Sequence, residues 1–315
     1  MSWVSKKLTA NQKPGISIKN FFYQSVLWRL GVLAGKIIPR KAGLSLATAL
    51  GTILGSRRKS QKVQAIRANQ WVIHHQNLSA DQLNDLPKQV FQSSARCLFD
   101  YFYFLSRPEK LDQIIDYSPE AMDAVKRIQQ NKPSVVVCPH ISNFDLLGFA
   151  LSLKGVELQV LSFPNPTGSY KMQNKLRENL GVTITPMSLG AFRQARHRLQ
   201  AGGSILTGFD RPLGDKSTGK YLPKFFGVES NLPVTYARMA KEAQAPVYIM
   251  AATSSPGNRY YLEGSPPIWM ESDDNLQTEI VSNVERVLQN AEGIIQEHAN
   301  QWAMYYPVWP QFVGI

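Results

Sequence analysis

The sequence predicts an α/β fold: a largely parallel central sheet with helices on both faces, preceded by a helical, basic N-terminal segment. Three observations carry this expectation. From about residue 118 onward, apolar runs of strand length alternate with stretches of helical period, the pattern of a parallel sheet built from strand–helix units. Before that point the patterning is helical throughout. Finally, the first 80 residues hold 13 lysines and arginines and no acid, whereas the other 235 hold 22 basic and 23 acidic side chains, so the net charge of +12 resides at one end of the chain.

Taken in order, residues 1–15 read as a flexible basic tail. Residues 16–36 and 40–56 read as two helices hinged at Pro39, the second closed by Arg57-Arg58-Lys59. Helices 60–76 and 79–106 follow; the latter opens on a good N-cap residue, Ser79, and carries the aromatic stretch Phe99-Asp100-Tyr101-Phe102-Tyr103-Phe104. The alternating part then runs helix 118–131, strand 134–138, helix 143–153, strand 156–163, helix 169–180, strand 181–187, helix 190–201, strand 203–209, helix 231–243, strand 245–253, strand 259–264 and helix 273–299. At 315 residues the chain suits one large domain or two small ones. The expected division is a membrane-associating helical segment, 1–116, packed on an α/β core, 117–315, as one integrated domain.

Composition excludes several classes. Two cysteines, Cys97 and Cys138, form neither a disulfide framework nor a metal-ligand cluster, and their apolar surroundings predict buried free thiols. The first fifteen residues lack an apolar core, so no cleavable signal peptide is expected. The one-signed N-terminal charge predicts an anionic partner. A nucleic-acid arm would be polar between its basic residues, whereas here Phe21, Phe22, Val26, Leu27, Leu30, Val32 and Leu33 form a dense apolar block, and residues 42–55 are rich in Leu and Ala. Neither block reaches the roughly 20 uninterrupted apolar residues of a membrane span. The reading is therefore of helices lying at an anionic lipid surface, with Lys and Arg reaching phosphates, and no nucleic acid. The alternative is that both helices simply pack on the core.

The chemistry centres on Cys138-Pro139-His140-Ile141-Ser142-Asn143-Phe144-Asp145. Pro139 ends the strand and a helix begins near Asn143, so His140 sits at a strand-to-helix junction with a carboxylate five residues on. A loop there can fold Asp145 back onto the imidazole, giving a base held in one tautomer; the plain alternative is a solvated histidine beside a helix N-terminal acid. Ligands in such sheets bind at the carboxyl ends of the strands. Asp210 and Arg211 follow strand 203–209 and so share that edge with His140. No G-x-S-x-G elbow points to a serine acyl-enzyme, and no H-E-x-x-H or Cys-rich set points to a metal.

Four blocks stand in order: His140-x4-Asp145; Tyr170 to Arg177 followed by Gly181-Val182-Thr183-Ile184; Asp210-Arg211 followed by Phe225-Phe226-Gly227; and Leu232-Pro233 followed by Ala245-Pro246-Val247-Tyr248. This order resembles the lysophospholipid acyltransferase superfamily, and within it the bacterial lipid A late acyltransferases and phosphatidylinositol mannoside acyltransferases. The terminal Glu297-His298-Ala299-Asn300-Gln301-Trp302 is similar to that branch's closing Gln-Trp element, and the resemblance covers nearly the whole chain. Two positions depart from it. Asp145 matches the mannoside branch, where the classical lipid A enzymes often carry Glu, and Phe-Phe-Gly is followed by Val228-Glu229.

The resemblance implies a membrane-associated O-acyltransferase that moves a fatty acyl chain from acyl-CoA or acyl carrier protein to a hydroxyl of a glycolipid or lipid precursor, without a cofactor. His140 would take the proton and Asp145 would orient it. Arg177 and Arg211 would grip phosphate, their alternative being surface salt bridges. Asp210 would either steady Arg211 or reach His140, and Glu229 would do the same work more weakly. The implied location is the cytoplasmic face of the inner membrane, peripheral or monotopic. Competing readings are a lysophosphatidic acid-type glycerolipid acyltransferase and a non-catalytic basic membrane-binding protein. An apolar groove for the acyl chain is expected to start at His140 and run under the N-terminal helices, walled by Phe99–Phe104, Phe144 and Leu147.

Overall fold

The computed structural model describes residues 18–141, 143–164, 166, 168–178, 182–213 and 221–315. The basic tail, Gly181 and the segment 214–220 therefore lie outside the described residues. Helices come first: α1 (Ile18–Ile37), α2 (Arg40–Gly55), α3 (Gln61–Ile73), α4 (Ala80–Phe104) and a single turn, α5 (Pro108–Leu111). Pro39, with its backbone extended, ends α1 and leads into α2. Ser79 and Gln82 form a reciprocal capping box at the start of α4. The alternating part follows as β1 (Ile115–Tyr117), α6 (Pro119–Gln129), β2 (Ser134–Cys138), α7 (Phe144–Leu153), β3 (Leu158–Ser162), α8 (Gly168–Glu178), β4 (Thr183–Pro186), α9 (Leu189–Gln200) and β5 (Ser204–Gly208). A small hairpin, β6 (Lys224–Phe225) and β7 (Val228–Glu229), precedes α10 (Thr235–Glu242), β8 (Val247–Ser255), β9 (Arg259–Gly264) and α11 (Leu276–Glu297). Every element expected from the sequence is present; β1 and the hairpin, three and two residues per strand, are too short to show a period.

The main sheet has seven strands in the order β1-β9-β8-β2-β5-β3-β4. Each neighbouring pair is parallel except β8–β9. All five residues of β2 are buried, as a central parallel strand requires. The period of two then divides the core. Val135, Val137, Ile205 and Ile249 point to one face and pack with Leu199, Ala240, Val284 and Leu288 of α9, α10 and α11. Val136, Cys138, Leu206 and Met250 point to the other and pack with Tyr101 and Phe104 of α4, Val125 of α6 and Leu147 of α7. Helices thus cover both faces, and α4 shares its core with the sheet.

Helices α1 and α2 pack on α4 in an inverted manner. Gly43, Ala47, Gly51 and Gly55 recur every fourth residue along α2. A Cβ added at Gly51 would lie 2.5 Å from Gln92 Cα, and one at Gly55 would lie 2.5 Å from Lys88 Cα, so the two backbones touch. A Cβ at Gly35 of α1 would lie 2.6 Å from the Phe102 carbonyl carbon. Arg40 fixes the start of α2 by a two-pronged ion pair with buried Asp100, at 2.8 and 2.7 Å, and Tyr260 Oη donates to the same carboxylate at 2.8 Å. Because the small residues face inward, the large apolar ones face out: Leu30, Leu33, Ile37, Leu46, Leu50 and Ile53 are each more than half exposed. No helix among the described residues is long and apolar enough to cross a membrane.

This packing has a direct consequence. Gly51→Leu will force α2 off α4, because overpacking a backbone contact costs about 1–3 kcal/mol or more. The expected outcome is a lower Tm and faster tryptic cleavage at Arg57-Arg58-Lys59. Unchanged Tm and cleavage would show that the contact is not required.

Candidate active site

Register builds the site. β2 pairs with β5 so that Cys138 lies opposite Gly208. Two residues beyond each paired end stand His140 and Asp210, side by side at the carboxyl edge of the sheet. His140 Nδ1 lies 2.6 Å from Asp210 Oδ1, and the His140 backbone N–H donates to Asp210 Oδ2 at 2.8 Å. Trp302 Nε1 donates to the same Oδ2 at 2.8 Å. The C-terminal element also grips the loop from the other side, since Ala303 N donates to His140 O at 2.7 Å and Ile141 forms a bridge with Trp302. Trp302 is in turn seated against Phe225 and Trp309. The imidazole has Gly208 beneath it, where a Cβ would come within 3.0 Å of Cε1, and Phe144 packed edge-on at 5.0 Å.

Asp210 is fully buried. Burial alone would raise its carboxyl, but the His140 charge and the hydrogen bonds from His140 and Trp302 outweigh it and hold the group below the ordinary carboxylate value. As an anion beside Nδ1, Asp210 places the ring proton there and leaves Nε2, which has no hydrogen-bond partner among the described residues, as the acceptor. His140, 24% exposed in its side chain, lines the cavity described below.

Asp145 does not fill the place that its spacing predicts. It sits in the first turn of α7 and turns to α8, where Gln173 Nε2 and Arg177 Nε each donate to it at 2.7 Å and Arg177 Nη2 donates as well. Arg177 also donates to Asn174 Oδ1 at 3.1 Å and lies over the Tyr170 ring. Burial would lower the Arg177 guanidinium, but the Asp145 charge outweighs it and holds Arg177 above its ordinary value. The expected phosphate grip at Arg177 thus gives way to a buried ion pair. Asp210 reaches His140, not Arg211. Arg211 is held between Phe163 and Tyr306, its Cζ 4.1 and 4.0 Å from their centroids, and has no carboxylate partner among the described residues. Glu229 lies exposed on β7 opposite Lys224, away from the cavity.

A cavity of about 640 Å³ opens beside His140. It runs between α7 and the β5–β3–β4 side of the sheet to α9, with Gly148, Phe149, Val160, Ile184, Met187 and Phe192 among its walls. This corrects the expected route under the N-terminal helices. Phe144 lines the cavity, but Phe99–Phe104 and Leu147 do not. Tyr101, Phe104 and Leu147 are spent in the core, while Phe102 meets Trp28 of α1. Cys138 also lines the cavity, yet burial, with Asp210 adding, pushes its thiol up to about 12, so it is a neutral thiol and a poor nucleophile. Neither cysteine is in a disulfide, and both are buried. Among the described residues no group of three or more His, Cys, Asp or Glu side chains is placed to hold a metal ion. Gly208 had no signal in the sequence; Trp302 was visible only as part of the Gln-Trp element.

No curated protein matches the sequence. Among solved structures, the chain is similar to the 1-acyl-sn-glycerophosphate (LPA) acyltransferase PlsC from Thermotoga maritima, at 14% identity over 81% of this chain and 98% of that one, with a TM-score of 0.34. The sequence profile of the bacterial lipid A biosynthesis acyltransferases matches residues 6–311. That match begins within the basic N-terminal segment and ends beyond the Trp302 clamp, and on it the chain belongs to the bacterial lipid A biosynthesis acyltransferase family and is an acyltransferase.

Proposed function

We propose that the protein moves a fatty acyl chain from a thioester donor, acyl-CoA or acyl carrier protein, to a hydroxyl of a glycolipid or lipid precursor at a membrane surface. The observation that carries this reading is a histidine with a buried carboxylate on Nδ1, standing at the mouth of an apolar cavity. His140 Nε2 takes the proton of the acceptor hydroxyl as its oxygen attacks the thioester carbonyl. The C–O bond forms, the tetrahedral oxyanion collapses, and the C–S bond breaks. The imidazolium then returns the proton to the departing thiolate. Asp210 keeps Nε2 unprotonated before the attack and balances the imidazolium after it. No covalent enzyme intermediate is needed.

The cavity takes the acyl chain, because each methylene left in water forgoes about 0.8 kcal/mol. Arg211, stacked on both faces and without an acid partner among the described residues, offers its N–H edge to a phosphate of donor or acceptor. The Asp145–Arg177 pair braces α7 against α8 along the cavity wall.

The inverted packing of α1 and α2 supports attachment to a lipid surface. Their outward leucines and isoleucines enter the interface, and exposed Lys36, Lys41, Arg57, Arg58 and Lys59 meet anionic headgroups at about 1 kcal/mol each, weakened by salt. The cytoplasmic face of the inner membrane supplies both anionic lipid and thioester donor.

The test is direct. Purified protein is incubated with labelled acyl-CoA or acyl carrier protein and an extracted lipid fraction, and the products are read by mass spectrometry. A new ester on a glycolipid is the expected result; a product confined to lysophosphatidic acid would move the acceptor to the glycerolipid class. No transfer from either donor would overturn the reading.

A further inference from the structure

Helix α7 carries a glycine at its centre that packing does not require. The glycines of α1 and α2 at positions 31, 35, 43, 51 and 55 all lie under a neighbour, with an added Cβ coming within 2.6 Å of it. Gly148 is different: a Cβ there would meet nothing within 4 Å. Glycine is the poorest helix former after proline, and its position mid-helix weakens α7. The open space around it is the cavity. Around the same helix Leu146, Leu147, Ala150 and Leu151 are buried in the core, whereas Phe144, Asp145 and Gly148 form its cavity side, with Phe149 shared between core and cavity.

We propose that Gly148 sets the length of acyl chain the enzyme accepts, by leaving a bare strip of helix where a side chain would obstruct the cavity. This rests on the reading that the cavity holds the donor chain. Phe144 lies against the His140 ring, and Gly148 follows one helical turn later, about 6 Å along the axis. A side chain at 148 therefore intrudes on the chain's path well inside the cavity. Methylenes that would lie beyond it lose their burial, and each one excluded weakens the interaction about fourfold.

The experiment compares the full-length wild type, Gly148→Ala and Gly148→Leu. Acyl-CoA donors from hexanoyl to palmitoyl are assayed for kcat/KM, and the matching non-reactive thioether analogues are titrated for binding. The ratio of palmitoyl to hexanoyl kcat/KM is expected to fall at least about tenfold in Gly148→Leu. In Gly148→Ala it falls severalfold while Tm rises by about 1–3 °C, because alanine relieves the helix. Stability gained as long-chain selectivity is lost is the outcome a purely structural glycine would not give. An unchanged ratio in folded Gly148→Ala, or in Gly148→Leu if that variant folds, overturns the proposal and leaves the acyltransfer reading intact. If wild type transfers no chain, the reading of the substrates fails, and the analogue titrations still decide: identical length profiles for wild type and the variants overturn the role of Gly148, and a profile cut short by the variants supports it.

Discussion

His140→Ala will reduce acyl transfer by about 10²–10⁴, the usual cost of losing a positioned base. The backbone ties of the loop survive the change: His140 N–H still reaches Asp210, and Ala303 still donates to the carbonyl of residue 140. Asp210 keeps two of its three donors, so secondary structure and membrane recovery will match wild type and Tm will fall by only a few degrees. Single-turnover rates with one acyl thioester, together with a melting curve, decide the matter. Wild-type turnover in the folded variant would remove His140 from the mechanism.

Asp210→Asn will cost as much as His140→Ala, for a reason the hydrogen bonds spell out. Oδ2 accepts two N–H groups, from the His140 backbone and from Trp302, so the amide oxygen must take that place. The amide nitrogen then faces Nδ1 and donates to it. The ring is forced to carry its proton on Nε2 and can no longer accept one from the acceptor hydroxyl. The double variant will be little worse than either single one, since both remove the same unit. Held below its ordinary value, the Asp210 carboxyl contributes stability that is complete above the ordinary carboxylate range and is lost as pH falls through the lower folded value.

Asp145→Asn should behave differently. It leaves Arg177, 9% exposed, without its counter-charge, and breaking such a buried pair costs about 3–5 kcal/mol. Its signature is a large fall in Tm, whereas Asp210→Asn shows its effect in kcat. Full loss of turnover at unchanged Tm in Asp145→Asn, with activity retained in Asp210→Asn, would restore the pairing that the spacing predicts.

That reversal marks the boundary between the two kinds of information. The strand-to-helix alternation, the place of His140 and Asp210 at the carboxyl edge of the sheet and the apolar, acid-free helices at the start were all legible in the chain, because each follows from local period and composition. The three-residue β1 and the β6–β7 hairpin were not, since strands that short carry no period. Along the sequence Asp145 is the near acid and Asp210 is 70 residues away. Yet the first turn of α7 carries Asp145 round to α8, while the pairing of Cys138 with Gly208 brings Asp210 onto the ring. The same holds for the aromatic run of α4: its composition announces apolar contact, but the glycine faces of α1 and α2 and the underside of the sheet claim it, so the cavity forms on the far side of α7. Composition and period are properties of neighbours in the chain and can be read there. Which acid reaches the histidine, and which face of a helix stays open, depend on strand register and helix rotation, and these are set only when distant segments pack.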